Sequence, residues 1–249
     1  MIEALIGMSK GRHGIYYELR DALAEDGCPI CRLALRTVER FLDYLIYENV
    51  NDPGVRADIR AARGFCNLHA WQLRDNRGAS GVAIIHRDVL ETLMERVEAG
   101  HYQQNTWRRS LNRVRTTLGG TPASEATAAL IADLVPQKLC LACRVRDNME
   151  VVYIRNLLEF IDEPEIGGVL RRSAGLCLPH FRQALQQVPD EATFETLAEI
   201  QLNAWERLRD ELSEFIRKHD YRFRDEGMGA EGDSWIRALA QISGTRGVR

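Results

Sequence analysis

Six cysteines occur in this chain, all within four short motifs. "GCPICR" (27–32) and "LCLACR" (139–144) each carry a CxxC pair, and "GFCNLH" (64–69) and "GLCLPH" (175–180) each carry a CxxH pair. Cys28 to Cys140 and Cys31 to Cys143 are 112 residues apart, while Cys66 to Cys177 and His69 to His180 are 111 apart. Arg32 and Arg144, Leu45 and Leu157, Pro53 and Pro164, and Gly64 and Gly175 recur at the same offsets. The repetition predicts two homologous helical modules, residues 1–118 and 119–224, followed by a tail over 225–249.

The residue types point to a metal. A CxxC at the start of a helix turns two sulfurs toward one point, where the helix N-terminus favours thiolate. A CxxH at a second helix start adds a third sulfur and an imidazole. The set is Cys3His, a closed tetrahedral donor set suited to structural zinc. The simplest pairing keeps each set inside its module: Cys28, Cys31, Cys66 and His69 for one ion, Cys140, Cys143, Cys177 and His180 for the other. A crossed arrangement, with the first CxxC meeting the second CxxH, also satisfies the spacing. The intervals of 34 residues between Cys31 and Cys66 and 33 between Cys143 and Cys177 exceed those of DNA-reading fingers.

The same cysteines admit three other readings. Buried inert thiols would not need four motifs in a repeated order. A thiol redox enzyme or redox-sensing zinc switch is suggested by "CPIC", which resembles the CPxC of glutaredoxin-like proteins, but those place a strand before the motif. An iron–sulfur cluster can also be held by three cysteines and a histidine, and it ranks below zinc. Two zinc ions per chain, structural and not catalytic, are therefore expected.

Apolar periodicity predicts an all-α fold, with helices over 15–25, from Pro29 toward Glu48, after Asp52, from Cys66, and over 82–99. "TTLGGTPASEA" (116–126) predicts a linker. The pattern then restarts, with helices over 126–135, 141–161, within "EPEIGGVLRR", within "LPHFRQALQQ", and from an Asp190 cap to about Lys218. No stretch sustains the alternation of a strand. A last short helix carries Trp235, Ile236, Leu239 and Ile242, a face expected to dock on the body or, alternatively, to bind a partner.

Composition excludes rather than identifies. A net charge of -3 provides no global attraction to nucleic acid or anionic lipid. No run approaches a membrane span and no signal-peptide core stands at the start, so a cytoplasmic protein with an unknown protein partner is expected. One basic patch, Trp107, Arg108, Arg109, Arg113 and Arg115, permits contact with a nucleic acid, although a basic helix end is the simpler reading. Nucleotide-binding and hydrolase signatures such as GxxxxGK, GxSxG, HExxH and GxGxxG are absent. Glu98 and His101 form a lone ExxH where a di-iron bundle needs two with further glutamates. His13, His86 and His219 have no ligand partner at a telling spacing.

The paired "CPIC" and "GFCNLH", then "CLAC" and "GLCLPHF", with "KHDYRF" and "GDSW" near the end, resemble an uncharacterised bacterial family known only as a domain of unknown function. The resemblance runs over nearly the whole chain. It implies a helical cytosolic protein and supplies no activity, substrate or partner.

Overall fold

The computed structural model describes residues 14–75, 78–100, 125–223 and 225–248. Among them the fold is all-α, with no strand. The helices are α1 (Gly14–Leu23), α2 (Pro29–Glu48), α3 (Pro53–Ala61), α4 (Asn67–Asp75), α5 (Ala79–Ala99), α6 (Glu125–Leu134), α7 (Leu141–Glu159), α8 (Gly167–Arg172), α9 (Leu178–Leu185), α10 (Glu191–Lys218) and α11 (Ser234–Ser243). Long, short, short, long is the order from α2 to α5 and again from α7 to α10. Of the linker predicted over 116–126, residues 116–124 lie outside the described residues and Glu125 and Ala126 open α6; the basic patch of Trp107, Arg108, Arg109, Arg113 and Arg115 also lies outside them.

Local chemistry accounts for the boundaries. Asp52 caps α3 by accepting from the Val55 amide at 2.7 Å, with Pro53 in the first turn. Asp190 caps α10 in the same way, accepting from the Thr193 amide at 2.8 Å. Gly64 and Gly175, two residues before the CxxH cysteines, have φ of +95° and +71°. Each lets the chain reverse in the left-handed region just before the cysteine.

Two compact units result: Met1–Val38 with Val145–Arg249, and Glu39–Arg144. The division falls inside α2 and inside α7, not at residue 118, so neither unit is one sequence repeat. The first unit has a core of Tyr16, Leu19, Ile30, Leu33, Ile154, Leu157, Leu170, Leu197 and Ile200, all buried. Across it the Tyr16 hydroxyl donates to Glu163 at 2.9 Å, and the Tyr153 hydroxyl donates to Glu18 at 3.0 Å. The second unit buries Leu42, Leu45, Ile46, Ile59, Leu73, Ile85 and Val89. There Asp88 of α5 ties down α3 through Arg56 at 2.9 Å and Arg60 at 2.7 Å.

Apolar stripes were the weaker guide to burial. On α5, Leu90, Met94 and Val97 are exposed, and on α10 so are Phe194 and Leu202. The largest correction concerns α11. Trp235, Ile236, Leu239 and Ile242 do not dock; all four are about half exposed or more. The helix instead lays down Ser234, Arg237, Ala238 and Gln241, the stripe at positions i, i+3, i+4 and i+7. Arg237 pairs with Glu211 of α10, and Gln241 donates to the Leu176 carbonyl at 2.6 Å. Directed polar bonds fix its orientation.

Gly64→Ala and Gly175→Ala should each cost about 1–2 kcal/mol through the left-handed backbone alone. Gly175→Ala should cost more, because its Cβ would stand 3.0 Å from Gln201 Oε1 and 3.2 Å from Ala204 Cβ. Urea denaturation of the two variants checks the ranking, and equal midpoints would contradict it.

Candidate metal centres

All eight residues of the four motifs converge, but in crossed pairs. Cys28, Cys31, Cys177 and His180 form one group, and Cys66, His69, Cys140 and Cys143 the other, with the donor atoms of each group within 4.8 Å of one another. The module-internal pairing is thus corrected: each CxxC meets the CxxH of the other repeat. Each group lies wholly inside one compact unit.

In the first group Cys28 and Cys31 stand at the start of α2, and Cys177 is the N-cap of α9. Leu176, just before Cys177, has both backbone groups held by buried glutamines. Its amide donates to Gln201 Oε1 at 3.0 Å and its carbonyl accepts from Gln241. The sulfur of Cys177 is thereby fixed opposite the start of α2. In the second group, Cys140 and Cys143 open α7, and Cys66 precedes α4. Asp58 of α3 brings the two segments together by pairing with Lys138 at 2.7 Å and Arg144 at 2.5 Å, on either side of the CxxC. Those two cations hold the Asp58 carboxyl below its ordinary range. The Gln137 amide donates to the Ala61 carbonyl at 2.8 Å, and Arg63 Nε donates to the Asp133 carbonyl at 2.9 Å. Four contacts around α3 therefore place one CxxC against the other CxxH.

The donor spacings suit a single four-coordinate ion. With Zn–S near 2.3 Å and Zn–N near 2.0–2.1 Å, tetrahedral geometry separates the ligand atoms by roughly 3.6–3.8 Å. In the first group, His180 Nδ1 is 3.5 Å from Cys28 Sγ, 3.4 Å from Cys31 Sγ and 3.1 Å from Cys177 Sγ, and Cys31 and Cys177 are 3.5 Å apart. In the second group, His69 Nδ1 is 3.2 Å from Cys66, 3.6 Å from Cys140 and 3.3 Å from Cys143, and Cys66 and Cys143 are 3.6 Å apart. These distances are slightly contracted for a bound ion and far too long for a disulfide. None of the six cysteines is joined in a disulfide.

Beyond the donors, the first site has a supporting layer. His180 Nε2 lies 3.1 Å from Oε1 of Glu150, which is fully buried on α7 and also accepts from Gln183 at 3.1 Å. A carboxylate behind the histidine fixes the ring and its tautomer, leaving Nδ1 for the metal. Arg146 stands 3.8 Å from Glu150 and donates to the Val248 carbonyl at 2.6 Å. The chain after α11 folds over the cluster, where the Thr245 amide donates to Cys31 Sγ at 3.4 Å. Val248 itself joins the core. Sequence reasoning missed this role of the tail, as well as Glu150, because nothing in a motif points 30 residues along the chain.

With only protons to balance the charge, the first cluster is split. Burial pushes the Cys28 thiol up, while hydrogen bonds with Cys177 and Cys28 hold Cys31 down as thiolate. Burial works against charge on His180, but its bonds to Cys177, Cys31 and Glu150 push it up to about 11. A divalent cation would replace these protons on binding.

Elsewhere the sequence candidates stay apart. Trp235 is on the exposed face of α11. His86 and His219 bond through Nδ1 to the carbonyls of Val82 and Phe215, each at 2.8 Å, one helical turn back. His13 and His101 lie outside the described residues. No helix among the described residues is long and apolar enough to cross a membrane.

Fold and site together define an all-α protein with two Cys3His-type groups, each able to hold a metal ion. The chain belongs to a family of unknown function, DUF6062, whose profile matches residues 15–248. It is also similar to an uncharacterised 23.9 kDa protein in the xynA 3′ region of Caldicellulosiruptor sp. (strain Rt8B.4), 25% identical over 224 residues covering 89% of this chain and 97% of the relative. No solved structure matches it.

The crossed pairing makes a distinctive prediction for paired substitutions. Cys28→Ser with Cys177→Ser should cost one metal equivalent, whereas Cys28→Ser with Cys66→Ser should cost both. Elemental analysis of the two double variants checks this, and the reverse pattern would restore pairing within each repeat.

Proposed function

We propose that this protein is a zinc-binding helical scaffold in which each ion is structural and joins the CxxC of one repeat to the CxxH of the other. The closed donor sets carry this reading. Three sulfurs and one imidazole nitrogen fill a tetrahedral ion and leave no position for water or substrate. Zinc is favoured over an iron–sulfur cluster because the donors of each group lie within 4.8 Å of one another, as around one ion. A cluster's cysteines ligate separate irons and stand further apart.

The 112- and 111-residue offsets support descent by duplication of a half-length module whose copies exchanged ligand pairs. A role in protein interaction is supported by α11, whose Trp235, Ile236, Leu239 and Ile242 form one exposed apolar face. Six reduced cysteines in metal-type motifs fit a cytoplasmic setting. Structural zinc in finger peptides contributes about 10–16 kcal/mol of apparent binding, comparable with the roughly 5–15 kcal/mol stability of a whole domain.

Protein purified without added metal should contain about two zinc ions per chain and no visible absorption band. A strong chelator should then abolish its cooperative thermal transition. Iron with a broad visible band, or metal-free protein of unchanged stability, would overturn the assignment.

A further inference from the structure

The two sulfur clusters differ in how far solvent reaches them. In the first, Cys28 is 6% exposed, Cys31 and Cys177 are 0%, and His180 is 1%. Thr245 donates its amide to Cys31, and a Cβ on Gly244 would touch both Cys31 Sγ and Cys177 Sγ, at 3.7 and 3.9 Å. That site is sealed by the segment that follows α11. In the second, Cys140 and His69 are buried, but Cys66 and Cys143 are both only half-buried. These two are also a contacting pair, their sulfurs 3.6 Å apart, on segments 77 residues apart in sequence.

The geometry points to Cys66 and Cys143 as a reversible oxidation site, at which a peroxide converts the pair to a disulfide and dismantles the second metal centre while the first stays intact. The inference rests on the zinc reading for its consequence, but the cysteine chemistry stands on exposure and contact alone. One thiolate attacks a peroxide oxygen, so that an S–O bond forms, the O–O bond breaks and hydroxide leaves. The other thiolate attacks the resulting sulfenic sulfur, forming the S–S bond and expelling a second hydroxide. Two sulfurs lose two electrons, the two peroxide oxygens gain them, and two protons complete two waters.

Cys66 immediately precedes α4, and Cys143 lies in the first turn of α7. The sulfurs need to close from 3.6 Å to about 2.05 Å. Once they are joined, only His69 and Cys140 remain as donors, too few to hold a tetrahedral ion. In the first cluster the equivalent contact, Cys31 with Cys177 at 3.5 Å, is shut away from any oxidant.

The test uses the full chain as purified, treated with hydrogen peroxide beside a chromogenic zinc chelator and then digested without reductant for mass spectrometry. The expected result is release of one of the two zinc equivalents at least tenfold faster than the other, with a linkage between the peptides containing Cys66 and Cys143 that thiol reductant reverses. Release of both equivalents at one rate, a Cys31–Cys177 linkage, or no linkage at all would overturn it. Protein purified without zinc would refute the zinc reading, and the peptide map would still decide whether Cys66 and Cys143 pair. No variant is required, so a folding defect cannot imitate either outcome.

Discussion

Three thiols and an imidazole crowded around one point inside a protein are unfavourable by themselves. Thiolates repel one another, buried charge is costly, and protons alone leave the first cluster with one thiol pushed up and one held down. A divalent cation would resolve all of these at once, and the fold brings four donors together where one could sit. Helix starts, left-handed glycines and capping residues around the motifs all serve that convergence. Each group joins segments far apart in sequence within one compact unit, so an ion bound there would act as a long-range clip.

The crossed pairing follows from contacts that the motifs do not contain. Asp58 sits on α3, eight residues before Cys66, yet its partners Lys138 and Arg144 flank the second CxxC. Arg32, at the position equivalent to Arg144, instead donates to the Ala22 carbonyl at 2.7 Å and turns the first CxxC toward α1. The same arginine in the two repeats therefore performs two different tasks. The two sites are unequal, one sealed by the segment after α11 and one half-open.

Much of this was legible in the sequence. The all-α class, the α2 and α10 boundaries, the Asp190 cap and the identity of the eight converging residues follow from periodicity, capping chemistry and repeated spacing. The pairing was not legible, because spacing determines which residues share a helix turn but not which turns meet across the fold. Nor was the orientation of α11, where an apolar stripe suggests docking while the helix is held by Arg237 and Gln241 through directed bonds. Glu150 shows the same limit, since a lone glutamate within a helix is indistinguishable from a solvated one until His180 is placed against it.

Crossed pairing requires each bound ion to draw its ligands from both halves of the chain. A crystal structure with anomalous diffraction data collected on both sides of the zinc edge tests it most directly. Two zinc peaks per chain are expected, one among Cys28, Cys31, Cys177 and His180 and the other among Cys66, His69, Cys140 and Cys143. Peaks bounded by Cys28, Cys31, Cys66 and His69, or cysteine clusters with no anomalous scatterer, would contradict it.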